Sequence, residues 1–201
     1  MKKRIVIIMT VLSFFWSIGV KAQESYTTYT MGYLEKEFSI QIGNDAKLYI
    51  DVLNMDKTSS QCGLILKAKK ADAFIECLDT ALKKFVEWKE IAIKNNVKEF
   101  RKEVACNCKV EGYFSFSDWQ FDMLVMPTFE FLILDGSGTP TPVMMIRTGK
   151  LQSGTNQYID SDGGCIVFKD EKEFRDFITK IKPKTVQDFL SSQPKKEELF
   201  K

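Results

Sequence analysis

Residues 62–90 read CGLILKAKKADAFIECLDTALKKFVEWKE, and this stretch predicts the core of the fold. Its first residues, Cys62–Leu66, form a short apolar run that is typical of a buried strand. From Lys69 to about Asn95 apolar residues recur every three or four positions, which indicates an amphipathic helix. At about 1.5 Å per residue we expect it to be roughly 40 Å long and to lie across a sheet. Its apolar stripe comprises Ala71, Phe74, Ile75, Leu78, Leu82 and Phe85.

The rest of the chain supplies strands for that sheet and one more helix. Segments 34–42 and 48–53 alternate apolar and polar residues around a turn signal, so they predict a hairpin. Asp170 and Glu173 form a capping pair for a second amphipathic helix over 171–182. We therefore expect an α+β fold, a mainly antiparallel sheet packed against one long and one shorter helix. Further strands are predicted at 104–116, 121–126, 129–134, 143–146 and 165–168, the last after a hairpin turn at Asp162-Gly163.

The first 22 residues have the pattern of a signal peptide. Basic residues 2–4 precede an apolar run over 5–20, and Ala22 ends a small-residue cleavage pattern. A membrane anchor is the alternative, but the apolar run is short and ends at that pattern. We expect a single domain over 23–190, a polar tail over 191–201, a periplasmic or extracellular location, and no stable membrane insertion after cleavage.

Charge and composition restrict the function classes. The whole chain carries +2, and the predicted signal segment holds four basic residues and no acid, so the remainder carries −2. A mildly acidic protein has no general attraction to nucleic acid, and we expect no nucleic-acid partner. The chain has no histidine, which removes the commonest general base and the favoured zinc ligand beside cysteine. We expect no cofactor, no metal site and no catalytic residue of a recognisable motif.

The chain has five cysteines, and an odd count leaves at least one thiol without an intramolecular partner. Export permits disulfides, and the candidates for a disulfide or a functional thiol are Cys62, Cys165, Cys106 and Cys108. The Cys106-x-Cys108 pair has one intervening residue where thioredoxin-type motifs have two, so a structural disulfide involving one member is the favoured interpretation. Cys62–Cys165 is the candidate bridge if the two lie in equivalent strands.

An internal repeat is one interpretation of the two helix entries. Cys62 and Cys165 lie 103 positions apart, as do Phe74 and Phe177. The repeat halves would be 33–103 and 104–190, each a set of strands followed by a helix. The alternative is coincidence, because any amphipathic helix can be superposed on another.

This order of elements resembles that of the Whirly and Pur-alpha single-strand-binding proteins. The resemblance covers about residues 33–182 and is one of architecture alone, so no functional residue is carried over. It implies a strand-meander-plus-helix repeat, whereas nucleic-acid binding conflicts with the acidic charge and the predicted export. The signal pattern also resembles that of many exported proteins of Gram-negative bacteria.

A further candidate for ligand contact is the segment 118–122. Asp118, Trp119 and Asp122 place an aromatic ring beside carboxylates, a combination that stacks on and hydrogen-bonds sugars. The alternative is that Trp119 and Phe121 cover the core. A calcium-like spacing from Asp160 to Glu171 lacks the required glycine, and a hairpin turn explains it better.

Two function classes follow from these observations. The first is a non-catalytic module of the cell envelope that binds a protein, a peptide or a glycan. The second is an enzyme of unfamiliar type that uses carboxylates or a thiol. The absence of histidine and of a nucleophile motif favours the first.

Overall fold

The computed structural model describes residues 24–43, 45–135 and 139–193. The predicted signal peptide over 1–22 and most of the predicted tail lie outside these residues. The predicted α+β fold class is confirmed.

The helices are α1 (Ala68–Lys94), α2 (Glu171–Ile181) and α3 (Pro183–Ser192). The strands are β1 (Glu24–Met31), β2 (Lys36–Ile42), β3 (Leu48–Asp51), β4 (Leu53–Asn54), β5 (Cys62–Leu66), β6 (Phe100–Glu103), β7 (Val110–Phe116), β8 (Asp118–Val125), β9 (Thr128–Leu134), β10 (Thr141–Arg147), β11 (Leu151–Gln152), β12 (Asp160–Ser161) and β13 (Gly164–Phe168).

The strands of the described residues form two main antiparallel sheets. The six-stranded sheet has the order β1-β2-β3-β5-β7-β8, and the five-stranded sheet has the order β4-β13-β10-β9-β6. A two-stranded ribbon pairs β11 with β12. The sheets are joined where β3 leads into β4: the Val52 amide donates to the Cys62 carbonyl at 3.1 Å, and Leu53 then pairs with Cys165. One run of chain therefore belongs to both sheets.

The long helix α1 packs by its apolar stripe, as its sequence pattern predicts. Phe74, Leu78 and Phe85 are fully buried. The ring of Phe74 lies 6.3 Å from that of Phe129, and the ring of Phe85 lies 6.3 Å from that of Phe131, both on β9. Burying each such side chain contributes about 1.5–3 kcal/mol, so this contact is a principal source of stability.

The second helix is held by aromatic contacts and a side-chain cap. Asp170 accepts a hydrogen bond from the Glu173 amide at 2.8 Å, which confirms the predicted N-cap. Phe174 stacks on Phe168 at 4.5 Å, and Phe177 contacts Tyr29 at 4.9 Å. α2 therefore rests on β13 and β1.

Some boundaries differ from the sequence-based prediction. The long helix ends at Lys94, close to its predicted end, with Asn95 as its C-cap and Asn96 at φ +49°. The charged segment after it, for which no strand was predicted, forms the edge strand β6. Charged residues are common on edge strands, and here they obscured the strand pattern. Asp162-Gly163 likewise does not join a hairpin, because β12 pairs with β11 whereas β13 pairs with β10 and β4. The first two residues of the predicted tail belong to α3.

The disulfide of the described residues joins Cys77 to Cys106, with Cα atoms 5.6 Å apart. The expectation that one member of the Cys106/Cys108 pair forms a structural disulfide is confirmed. The candidate bridge Cys62–Cys165 is wrong, because both are free, buried thiols. Cys62 faces the main core, whereas Cys165 belongs to a separate apolar cluster on the other face of the five-stranded sheet. Cys62 and Cys165 each lie in a strand that precedes a helix, but this similarity in sequence does not place their side chains in the same apolar cluster.

Removal of the Cys77–Cys106 disulfide is expected to destabilise the fold. The paired change Cys77→Ala and Cys106→Ala should lower the free energy of unfolding by about 2–4 kcal/mol, because a closed loop restricts the unfolded chain. Urea denaturation checks this value. The control is Cys108→Ala, which leaves the bridge intact; equal stability of the bridge-less variant and the parent would contradict the prediction.

Glu173 makes stability depend on pH. Its Oε2 atom is buried without a hydrogen-bond partner. Burial, and then the nearby Asp170, raise the pKa of Glu173, although the amides of Lys169 and Gly32 oppose this. Because the pKa of Glu173 is raised in the folded state, the fold favours the protonated carboxyl. The stability that this form contributes is fully present below the pKa of the unfolded state. It is lost as the pH rises through the pKa of the folded state.

Glu173→Gln should therefore stabilise the protein at pH 7 and bring no advantage below about pH 4, under the unfolded-state pKa of glutamate. We expect a gain of less than about 1 kcal/mol, because solvent screens a partly exposed group. Thermal melts across pH 3–8 measure it. A gain that grows as pH falls would contradict the assigned direction.

Candidate binding site on the outer face of the six-stranded sheet

The six-stranded sheet buries one face in the main core and turns the other outward. Ile50, Leu64 and Phe114 belong to the core face. Because side chains alternate along a strand, Tyr49, Asp51 and Tyr113 lie on the opposite face, called the outer face here. The strand register continues this face onto β8, since Tyr113 pairs with Phe121 and Ser115 pairs with Trp119.

Aromatic rings form a continuous path across the outer face. The ring of Tyr49 lies 6.0 Å from that of Tyr113, and the ring of Tyr113 lies 5.8 Å from that of Trp119, both edge to face. Such pairs are stabilising beyond the area they bury. The path holds Trp119 in a defined position although its side chain remains 49% exposed.

A hydrogen-bonded carboxylate anchors the buried end of this path. The Asp51 side chain accepts hydrogen bonds from the Tyr113 hydroxyl, the Ser39 hydroxyl and, at 2.8 Å, the Gln61 amide. Burial, followed by the charge of Asp51, raises the pKa of Tyr113 far above its ordinary value, so its phenol stays protonated as a donor. The cluster therefore acts as a structural support for the outer face.

The edge strand β8 exposes an apolar surface, called here the β8 apolar patch. Met123 and Leu124 are both 57% exposed because a register shift places them opposite Glu111, which breaks the strict alternation of faces. The patch comprises Trp119, Phe121, Met123, Leu124 and Met126. Several large exposed apolar side chains close together along one strand are a mark of interaction sites.

The three residues predicted to face a ligand lie together on β8 but have different roles. Trp119 and Asp118 are exposed, and Asp118 accepts a hydrogen bond from the Trp119 amide at 2.7 Å. Asp122 is half-buried, and its two oxygens accept from the amides of Leu124 and Gln152, each at 2.9 Å. Asp122 therefore fastens the 150–156 segment to β8.

That segment also covers part of the edge of β8. The Gly154 amide donates to the Phe121 carbonyl at 2.8 Å, and Ser153 donates to the Gln120 side chain at 2.7 Å. A sheet edge covered by a loop is protected from pairing with another strand. The β8 hairpin thus presents its side chains, rather than its backbone edge, to a partner.

The free thiols are buried and protonated at neutral pH. Burial raises the pKa of Cys62 to about 12 and that of Cys108 to about 11, and it also raises the pKa of Cys165. A thiol reacts as the thiolate, so these groups are poor nucleophiles in the folded protein.

Other candidate groups are engaged in ion pairs. Asp160 pairs with Lys150 at 2.9 Å and Glu171 pairs with Arg175 at 2.6 Å, which accounts for the two ends of the calcium-like spacing. In the described part of the chain, no three side chains of His, Cys, Asp or Glu come together as metal ligands. Within the same residues, no helix has the length and apolar character needed to cross a membrane.

Sequence reasoning found Trp119 but missed most of the patch. An alternating apolar row such as Trp119, Phe121 and Met123 usually marks the core face of a strand. The useful signal is the consecutive run 123–126, because four apolar residues in a row cannot all point to one face of a regular strand.

Searches against protein-family models, curated proteins and solved structures find no match. The Whirly-like order of elements and the internal repeat therefore stay predictions.

Changing Asp122 to Ala should loosen the 150–156 segment. The variant loses two charge-assisted hydrogen bonds at a partly exposed site, so we expect a loss of about 1–3 kcal/mol in the free energy of unfolding. Hydrogen exchange should also rise at Leu124 and Gln152. Asp122→Asn is the matched control, because its one carbonyl oxygen keeps one of the two bonds. Unchanged exchange at both amides in Asp122→Ala would contradict this role.

Proposed function

We propose that this protein is an exported, non-catalytic binding module that docks a protein partner on the β8 apolar patch. The observation that carries the proposal is the exposure of Trp119, Phe121, Met123, Leu124 and Met126 on one hairpin. Aromatic residues and methionine are enriched in protein interfaces, and large exposed apolar side chains gain most from burial there.

The chemistry of the patch favours a protein over a glycan. A sugar needs free hydrogen-bonding groups beside the aromatic ring. Both oxygens of Asp122 are already engaged by backbone amides, and one oxygen of Asp118 is engaged in the same way. The neighbours of Trp119 along the exposed row, Phe121 and Met123, offer apolar area instead.

The export part of the proposal draws on two independent observations. Residues 1–22 have the pattern of a secretory signal, and Cys77 is joined to Cys106. Structural disulfides persist mainly in oxidising compartments such as the periplasm and the extracellular space. The −2 charge of the chain after residue 22 supports the absence of a nucleic-acid partner.

The non-catalytic part rests on how the candidate reactive groups are used. The alternative enzyme requires an available carboxylate or a thiolate. Asp51 is committed to three donors, and the pKa values of the buried thiols lie well above neutral pH. These groups therefore serve the fold.

The test compares partner capture by matched variants. Biotinylated protein from residue 23 onward is incubated with a cell-envelope extract of the source organism, as parent, as Phe121→Ser with Met123→Ser, and as Ile93→Ser. Ile93 is 65% exposed on α1, so its replacement controls for loss of surface apolarity elsewhere. Recovered proteins are quantified by mass spectrometry.

We expect at least one protein to be captured by the parent and the control and to fall about tenfold or more with the patch variant. Removing two contacts of about 1 kcal/mol each has an effect of that size. The same protein, once purified, should show the same loss in a direct binding titration. An identical set of captured proteins from the parent and the patch variant would reject the proposal.

A further inference from the structure

The edge of β6 is an open sheet edge, and it belongs to the five-stranded sheet, whereas the β8 apolar patch belongs to the six-stranded one. β6 pairs with β9 on one side, and no strand of the described residues pairs with its other side. The Val104 amide donates to the Phe129 carbonyl at 2.8 Å, so in this antiparallel register Val104, Lys102 and Phe100 turn their backbone groups toward β9. Arg101 and Glu103 therefore turn their amides and carbonyls outward.

A groove runs beside this edge, between β6 and α1. It consists of two cavities of about 240 and 390 Å³ that share Trp88 and Lys102. On the helix side the groove extends from Ile91 to Thr80, about 17 Å at 1.5 Å per residue. An extended strand rises about 3.3 Å per residue, so the groove accommodates about five residues of an extended peptide.

The smaller cavity is suited to an apolar side chain. Its walls include Trp88, Phe131 and Val97, and at its mouth Ile91 is 51% and Phe100 43% exposed. Among the residues that the structure describes, Lys102 is the only charged one that lines it. A ligand therefore gains most by placing an apolar group in the cavity and an anionic group at its rim.

The charge of Lys102 is available to such a ligand. Its ammonium group lies 4.8 Å from the centre of the Trp88 ring, and it makes no salt bridge within the described part of the chain. Lys84 lies 5.8 Å from the same ring, but it is paired with Glu87 at 2.7 Å. Glu103 lines only the larger cavity. Of these two lysines, Lys102 at the apolar cavity is therefore the one whose charge is not used in a salt bridge.

The disulfide holds the two walls of the groove together. Cys77 lies on α1, and Cys106 follows β6 by three residues. A covalent link between the walls keeps the groove formed before a ligand arrives, which reduces the cost of binding.

We propose that the groove between α1 and β6 binds an extended peptide that adds a strand to β6. The peptide places a large apolar side chain between Trp88, Ile91 and Phe100 and a carboxylate beside Lys102. Strand addition uses the outward backbone groups of Arg101 and Glu103 for affinity, and the cavity supplies side-chain selectivity. This site is separate from the β8 apolar patch and does not depend on it.

The probe is a phage-displayed library of random decapeptides. The bait is the chain from residue 23 onward carrying Phe121→Ser and Met123→Ser, which disrupts the β8 apolar patch and so disfavours peptides selected by it. Enriched sequences are synthesised with fluorescein and titrated by fluorescence anisotropy. We expect an enriched family with a large apolar residue and an acidic residue at a fixed spacing.

Two variants separate backbone pairing from side-chain contact. Glu103→Pro removes an outward amide while leaving the bonds to β9 intact, and Glu103→Ala removes the same carboxylate but keeps the amide. We expect Glu103→Pro to weaken binding about tenfold or more and Glu103→Ala to bind as the parent does. Near-ultraviolet circular dichroism confirms that each variant is folded.

A charge swap tests the role of Lys102. Lys102→Glu should weaken the acidic peptide about tenfold, and changing the peptide's acidic residue to lysine should restore binding to that variant alone. The proposal is overturned if no peptide family is enriched, if Glu103→Pro binds as tightly as Glu103→Ala, or if the charge swap restores nothing. Because the variants that decide these results lie on β6 and not on β8, each result leaves the proposed function to its own test.

Discussion

The structure depends on the burial of one face of α1 against the five-stranded sheet. Phe74 and Phe85 meet Phe129 and Phe131 in a layer that is almost wholly apolar. This contact fixes the position of the helix, and the helix in turn carries Cys77 and Trp88. The disulfide and the wall of the peptide groove are therefore consequences of the same packing.

The two proposed binding surfaces lie at sheet edges that differ in whether their backbone groups are covered. At β8 the 150–156 segment engages the Phe121 carbonyl, so side chains rather than backbone groups face solvent. At β6 the backbone groups of Arg101 and Glu103 stay open and the side chains are mostly charged. A covered edge with apolar side chains suits docking of a folded surface, and an open edge beside a groove suits an extended peptide.

Periodicity in the sequence predicted the parts of the fold that a single face determines. The α1 stripe, the Asp170 cap and the α+β class all follow from local spacing and are present in the structure. β6 was missed because its charged residues hide the alternation, and the disulfide partner of Cys106 was missed because Cys77 lies on a helix far from it in sequence. Within the candidate site, the sequence identified Trp119 because an aromatic residue lies beside carboxylates there. The exposure of Phe121 and Met123 was not predicted, because alternating apolar residues give the same sequence pattern whether that face of the strand packs on a core or faces solvent.

The run from Leu48 to Asn54 has a consequence for cooperativity. Since β3 belongs to the six-stranded sheet and β4 to the five-stranded one, neither sheet can lose this run without the other losing a strand. The amides of Ile50 and Val52 are therefore expected to open only together with the release of β4 from the five-stranded sheet, so they report a large unfolding event rather than a local one. Despite its two sheets, the protein should melt as one unit, with no partly folded state in which a single sheet survives.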